Sequence, residues 1–198
     1  MSLRSRIETT FGAHACSDAV FFAAPIGLRF ALAKEGAGSS ADHAALATRD
    51  ALRICREIFD SEGLLVDCLK TSVVDGVSEL EAIQKKLQSL GVSLGSPAEV
   101  WRQACSGYDN SEMCEVGAFH VPAAEIRQLL WHAITADLGT LRSGPSAGVY
   151  LFNIPRGIAA HPYDDRGMDV FGPNGRALKD LGERHGDLLL QARVEEVQ

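Results

Sequence analysis

The chain has 198 residues, a formal net charge of −7 and a pI near 5.3. This acidic balance excludes an ordinary nucleic-acid binder, which needs Lys and Arg to displace the counterions condensed on a polyphosphate. Its 46% hydrophobic and 23% charged residues match globular usage and exclude a disordered, fibrous or collagen-like chain, and this length supports a core without a metal or disulfide staple.

No apolar run approaches the length of a bilayer span, and Arg4 and Arg6 are followed by no apolar stretch. A cytoplasmic location and no membrane contact are expected. The five cysteines, Cys16, Cys55, Cys68, Cys105 and Cys114, make no CxxC pair and no short metal-ligand spacing, so they read as reduced thiols. Cys105 and Cys114 flank one predicted turn, but a cytoplasmic chain disfavours a structural disulfide. No cofactor is expected.

Residues 2–11 form a short predicted helix ending at Gly12. Residues 20–25 lead into a strand over 27–33, where Leu28, Phe30 and Leu32 alternate with Arg29, Ala31 and Ala33. The loop 36–40 closes it. Residues 48–62 place Ala51, Leu52, Cys55, Ile58 and Phe59 at helical spacing, supported by the four-apart pairs Arg53–Glu57 and Arg56–Asp60. Gly63 stops that helix, and 64–70 resumes a strand pattern. Ser78 and Glu81 have the spacing of a capping box, followed by the apolar face Leu80, Ile83, Leu87 and Leu90, which Gly91 ends.

Strands over 99–105 and 112–121, separated by the turn-rich 106–111, predict a hairpin. Pro122 opens a helix in which Ile126, Leu129, Leu130, Ala133, Ile134 and Leu138 repeat with the clearest 3.6 period of the chain, and Gly139 caps it. The loop 143–148 leads into a strand over 149–154, which 155–157 turns back into 158–161. Residues 168–171 are a third strand piece, followed by a weak helix over 176–190 that Gly182 and Gly186 destabilise. Strands alternating with helices early and hairpins late predict an α+β fold, with helices packed on an antiparallel or mixed β-sheet. One domain over 1–198 is expected, with 140–148 as the candidate boundary between sub-structures.

The most informative stretch is 161–170, His-Pro-Tyr-Asp-Asp-Arg-Gly-Met-Asp-Val. Asp164, Asp165, Arg166 and Gly167 have the composition of a hairpin turn, where Asp accepts backbone N–H bonds and glycine supplies positive φ. On that reading Arg166 pairs with a neighbouring carboxylate and Tyr163 packs on the sheet. A sharper reading gathers Asp164, Asp165 and Asp169 around a hard cation such as Mg2+, with His161 as general base. The spacing is neither an EF-hand loop nor a paired-carboxylate motif, and strand alternation sends Asp164 and Asp165 to opposite faces. On a third reading the Asp/Arg tip of a rigid hairpin contacts another macromolecule, with Arg166 donating a bidentate bond to a partner carboxylate. Arg29, turned away from the apolar side of its strand, joins the candidate binding residues. Hydrolase, nucleotide and zinc-protease motifs such as Gly-x-Ser-x-Gly, Gly-x-x-x-x-Gly-Lys and His-Glu-x-x-His do not occur.

Together with 149–154, this run resembles the C-terminal signature of the bacterial domain of unknown function 3885 family, whose members carry a similar Tyr-Asp-Asp-Arg-Gly-x-Asp stretch. The resemblance is best over 149–171 and extends to 20–32. It implies a bacterial protein and brings no established activity with it. Relatives commonly have an Arg-Phe-Glu-like run where this chain has Arg29-Phe30-Ala31. They often have a cysteine where it has Met168, which argues against a thiol nucleophile there. The function expected first is a non-enzymatic, immunity-like protein-binding module whose acidic surface steers a basic protein partner. The alternative is a divalent-metal-dependent hydrolase of a small phosphorylated substrate, built on His161 and the three aspartates.

Overall fold

The computed structural model describes residues 1–33, 39–59, 64–74, 76–105, 113–136, 138 and 147–194. Outside these lie most of the 36–40 loop, the expected helix stop at Gly63, Asp60 of the Arg56–Asp60 pair, the 106–111 turn, the helix end at Gly139 and most of the 140–148 boundary.

The described strands are β1 (Ile26–Ala31), β2 (Leu64–Val74), β3 (Val77–Ser78), β4 (Glu99–Ala104), β5 (Met113–Pro122), β6 (Gly148–Asn153), β7 (Ile158–Pro162), β8 (Gly167–Phe171) and β9 (Leu189–Val194). They form one sheet in the order β4-β5-β2-β6-β7-β8-β1-β9, with β3 beside β2, and every described pairing is antiparallel. The fold is α+β. Strands β7 and β8 are buried throughout, so their sequences tolerate apolar residues at successive positions. Edge strand β4 instead alternates half-buried with exposed residues.

Helices α1 (Leu3–Phe11) and α2 (Val20–Ala23) cover one face of the sheet. Leu3, Ile7 and Phe11 share a core there with Val66, Phe152 and Phe171, and the Phe11 ring lies 5.1 Å from that of Phe152. Helices α3 (Ser40–Ile58), α4 (Leu80–Ser89), α5 (Ile126–Ile134) and α6 (Gly175–Arg184) pack on the other face. The larger core on that side joins Ile54, Ile83, Leu129 and Leu178 to Phe30, Leu69, Phe119 and Leu151. Side-chain caps start three of the helices: Ser2, Ser39 and Asn174 accept from the backbone N–H groups of Ser5, Asp42 and Ala177 at 3.1, 3.2 and 3.2 Å.

Several sequence expectations are corrected. Helix α3 begins at Ser40 rather than at residue 48, because its first turns bury Ala44 and Ala47, which carry too little apolar bulk to mark a period. Glu57 does not pair with Arg53. It receives Arg184 at 2.6 Å and faces His185 at 2.7 Å, while Arg53 reaches Asp187 at 2.6 Å. The capping box at Ser78 is not formed: Ser78 Oγ accepts from Leu80 N at 3.1 Å, and Glu81 pairs with Lys85. Pro122 closes β5 instead of opening a helix, and a 3-10 turn over Ala123–Glu125 precedes α5. The helix expected over 176–190 ends at Arg184, and the chain reverses into β9, which pairs with β1. Gly175, the first residue of α6, allows a close approach: a Cβ there would lie 2.9 Å from Ile26 Cδ1.

The thiols are corrected too. Cys105 and Cys114 form a disulfide, while Cys16, Cys55 and Cys68 are buried and free. The β4–β5 register pairs Ala104 with Met113 and Gln103 with Cys114, which sets the two cysteines beside each other at a Cα separation of 5.3 Å.

Candidate functional site

Strand register assembles the site from residues far apart in sequence. Arg29 on β1 stands opposite Asp169 on β8, and Asp169 stands opposite His161 on β7. The three therefore share one row on the face covered by α1 and α2. The Arg29 guanidinium holds Asp169 in a fork, Nε to Oδ1 at 2.8 Å and Nη2 to Oδ2 at 2.9 Å. Three rings surround that guanidinium, with centroids at 4.5 Å (Phe21), 5.3 Å (Phe22) and 5.6 Å (Tyr163), so cation–π attraction adds to the ion pair. The hydrogen bond to Asp169 raises the Arg29 pKa and keeps the group charged.

His161 is buried beside this pair. Its Nδ1 lies 2.9 Å from the Val149 carbonyl oxygen, which only accepts, so the proton is assigned to Nδ1. Burial lowers its pKa, with the Val149 bond and Asp169 acting in opposition. The neutral ring stacks on Tyr150, centroid to centroid 4.0 Å and nearly parallel. Tyr150 donates in turn to Asp18 at 3.1 Å, and the largely buried Lys70 donates to the same Asp18 oxygen at 2.6 Å.

The turn at the tip explains most of the signature residue by residue. Asp164 is buried, and its Oδ1 accepts from the backbone N–H groups of Arg166 at 2.8 Å and Gly167 at 3.2 Å. Its Oδ2 accepts from Arg166 Nε at 2.8 Å and also from Nη2. Arg166 thus pairs with a neighbouring carboxylate, as the turn reading expected. Tyr163 N donates to the Gly167 carbonyl and closes the hairpin, with the Tyr163 ring lying over Gly167. The role of Gly167 differs from the expectation. It is not among the positive-φ glycines; it supplies clearance, because a Cβ there would stand 2.0 Å from Tyr163 Oη. Asp165 leaves the turn toward α3 and meets His43 Nε2 at 3.2 Å.

Arg29, His161, Tyr163 and Asp169 are therefore brought together, whereas Asp164 and Asp165 each turn to a different partner. Among the described residues, no group of three or more His, Cys, Asp or Glu is arranged to hold a metal ion. The thiols are not activated: burial pushes Cys55 up to about 12 and Cys68 well above its usual value. Sequence reasoning missed Phe21, Phe22, Asp18, Lys70 and Tyr150, whose contribution depends on the N-terminal segment folding across the sheet.

By fold and site, this is an α+β domain whose antiparallel sheet carries helices on both faces and whose acid-and-arginine hairpin is clamped to β1 by an ion pair. The chain belongs to the DUF3885 family, a domain of unknown function, whose profile matches residues 3–193. No curated protein and no solved structure matches the chain. Among the described residues, no helix is long and apolar enough to cross a membrane.

Proposed function

We propose that this protein is a non-enzymatic, immunity-like binding module that engages a protein partner through the surface around the signature hairpin. The observation that carries this reading is the separate commitment of the three aspartates: Asp164 to Arg166, Asp165 to His43 and Asp169 to Arg29. A hydrolase site would need these carboxylates to converge on one ion beside His161, and their partners lie on different elements. Around the same hairpin an aromatic and arginine surface is presented. Phe22 is 59% exposed, Tyr163 is half-buried, and the Arg166 side chain is 81% exposed. Aromatic rings and arginines on a rigid scaffold are the residue types that dominate binding hot spots.

The net charge of −7 favours encounter with a basic partner, and the exposed Asp18 supplies a carboxylate on the same face. Nucleic acid is disfavoured by the same charge. The Cys105–Cys114 bond is chemistry that an oxidising compartment preserves. The cytoplasmic location, expected from the lack of a signal-like or bilayer-length apolar run, draws no support from the thiols.

Affinity capture from the native organism with wild-type protein and Phe22→Asp tests the reading. Wild type is expected to retain a stoichiometric partner, and Phe22→Asp to bind it at least about tenfold more weakly with an unchanged circular dichroism spectrum. No stoichiometric partner, or equal retention by both proteins, would overturn it.

A further inference from the structure

On the opposite face from the hairpin's aromatic surface, a cavity of about 540 Å³ opens between α3 and α5. Arg49, Arg53 and Arg56 line it from α3, with Arg127 and Trp131 from α5, and Thr48 lies between them. Positions 45, 48, 49, 52, 53 and 56 of α3 and 127 and 131 of α5 follow the helical three-and-four spacing, so each helix turns one stripe toward the opening. No described lining residue is acidic, although the whole chain carries a net charge of −7. Four cations are concentrated where the average composition would place more carboxylates than cations.

Carboxylate partners account for two of these four cations. Arg49 bonds Asp50 at 2.9 Å and Arg53 bonds Asp187 at 2.6 Å, which fixes two of the guanidiniums at the rim. Arg56 and Arg127 have no ion-pair partner among the described residues.

We infer that the α3–α5 cavity binds a small phosphorylated molecule with a planar ring, of mononucleotide chemistry. Guanidiniums match phosphate oxygens in bidentate geometry. The half-buried indole of Trp131 offers a face on which a flat ring stacks. The volume falls within the range of about 300–1,000 Å³ usual for small-molecule sites. The four arginines line one opening between two helices, too local a patch for a polynucleotide, so the site recognises a compact anion. It is separate from the hairpin surface, and its ligand leaves the protein-binding reading unaffected.

The test is calorimetric titration of the full chain with ADP and GDP, with adenosine, inorganic pyrophosphate and a penta-glutamate peptide as comparisons. Wild type is expected to bind at least one nucleotide saturably below about 1 mM. Arg56→Gln/Arg127→Gln, which leaves the Asp50 and Asp187 pairs in place, is expected to weaken that binding at least about tenfold. Trp131→Leu is expected to weaken nucleotide binding while leaving pyrophosphate binding unchanged. Adenosine and the peptide are expected to bind at least about tenfold more weakly than the nucleotide. Four results would each overturn the inference: no saturable nucleotide binding, affinity unchanged in the double arginine variant, pyrophosphate as tight as the nucleotide, or tighter binding of the peptide. Circular dichroism of each variant confirms that the comparison is between folded proteins.

Discussion

Replacing Asp67 with valine is expected to stabilise the protein at pH 7 by up to about 4 kcal/mol, an unusual sign for a core substitution. Asp67 sits in the middle of β2, opposite Phe119 on β5 and Leu151 on β6, and is fully buried. Neither of its carboxyl oxygens has a hydrogen-bond partner. Burial pushes its pKa up to about 8 from an ordinary 3.8. The folded state therefore holds the acid neutral where the unfolded chain ionises it. Stability from this group is complete below about pH 4 and is lost progressively as pH rises toward 8. At about 1.4 kcal/mol per unit, the interval from 3.8 to 7 sets the upper bound given above. Valine fills most of the same space without the ionisable group.

His132 acts in the opposite sense. It is buried on α5 with both ring nitrogens unpartnered, and burial, then the charge of Lys86, lowers its pKa to about 4. The unfolded imidazole titrates at 6.5, so stability from His132 is lost as pH falls through that interval. Between about pH 4 and 6.5 the two slopes oppose one another, and wild type is expected to be nearly flat there as far as these groups decide. Asp67→Val removes one slope and exposes the other. Urea unfolding from pH 4 to 8 measures this: the gap between variant and wild type should be widest at pH 8 and close toward pH 4. A variant less stable than wild type at pH 7, or a gap independent of pH, would contradict the argument.

The second large effect is at the clamp. Arg29→Met leaves the carboxylate of Asp169, 1% exposed, without its guanidinium and is expected to cost about 3–5 kcal/mol. Asp169→Asn in the Arg29→Met background removes the stranded charge and should recover a large part of that loss. A double-mutant cycle by urea unfolding should return a coupling of at least about 1.5 kcal/mol, near the middle of the range for residues in contact or above it. Strictly additive losses would mean that the fork between β1 and β8 holds nothing together.

The sequence made the strands around the signature legible because they carry turn residues at fixed offsets. Gly157 and the Asp164–Gly167 tip separate three short runs, and the structure pairs those runs as β6, β7 and β8. The β4–β5 hairpin and the heavily periodic α5 were legible for related reasons. Strand β9 was not: Leu190 is exposed and the strand lies at the sheet edge, so no buried period separated it from the end of a helix. The ion pair between Arg29 and Asp169 joins residues 140 positions apart, and only the sheet order brings them opposite. In the sequence the arginines of α3 stand at the spacing of intrahelical ion pairs, and only the packing of α5 beside them gathers Arg49, Arg53 and Arg56 with Arg127 around one opening. Asp67 interrupts the apolar run 64–69, but its lack of any partner is visible only in three dimensions.

On the function proposed above, the signature carboxylates serve the backbone turn and the β1–β8 clamp instead of a metal. Calorimetric titration of Mg2+ and of Mn2+ into wild type and into Asp164→Asn/Asp165→Asn tests this most directly. Equal, negligible heats in both proteins are the predicted result. A saturable heat in wild type that disappears in the double variant would contradict it.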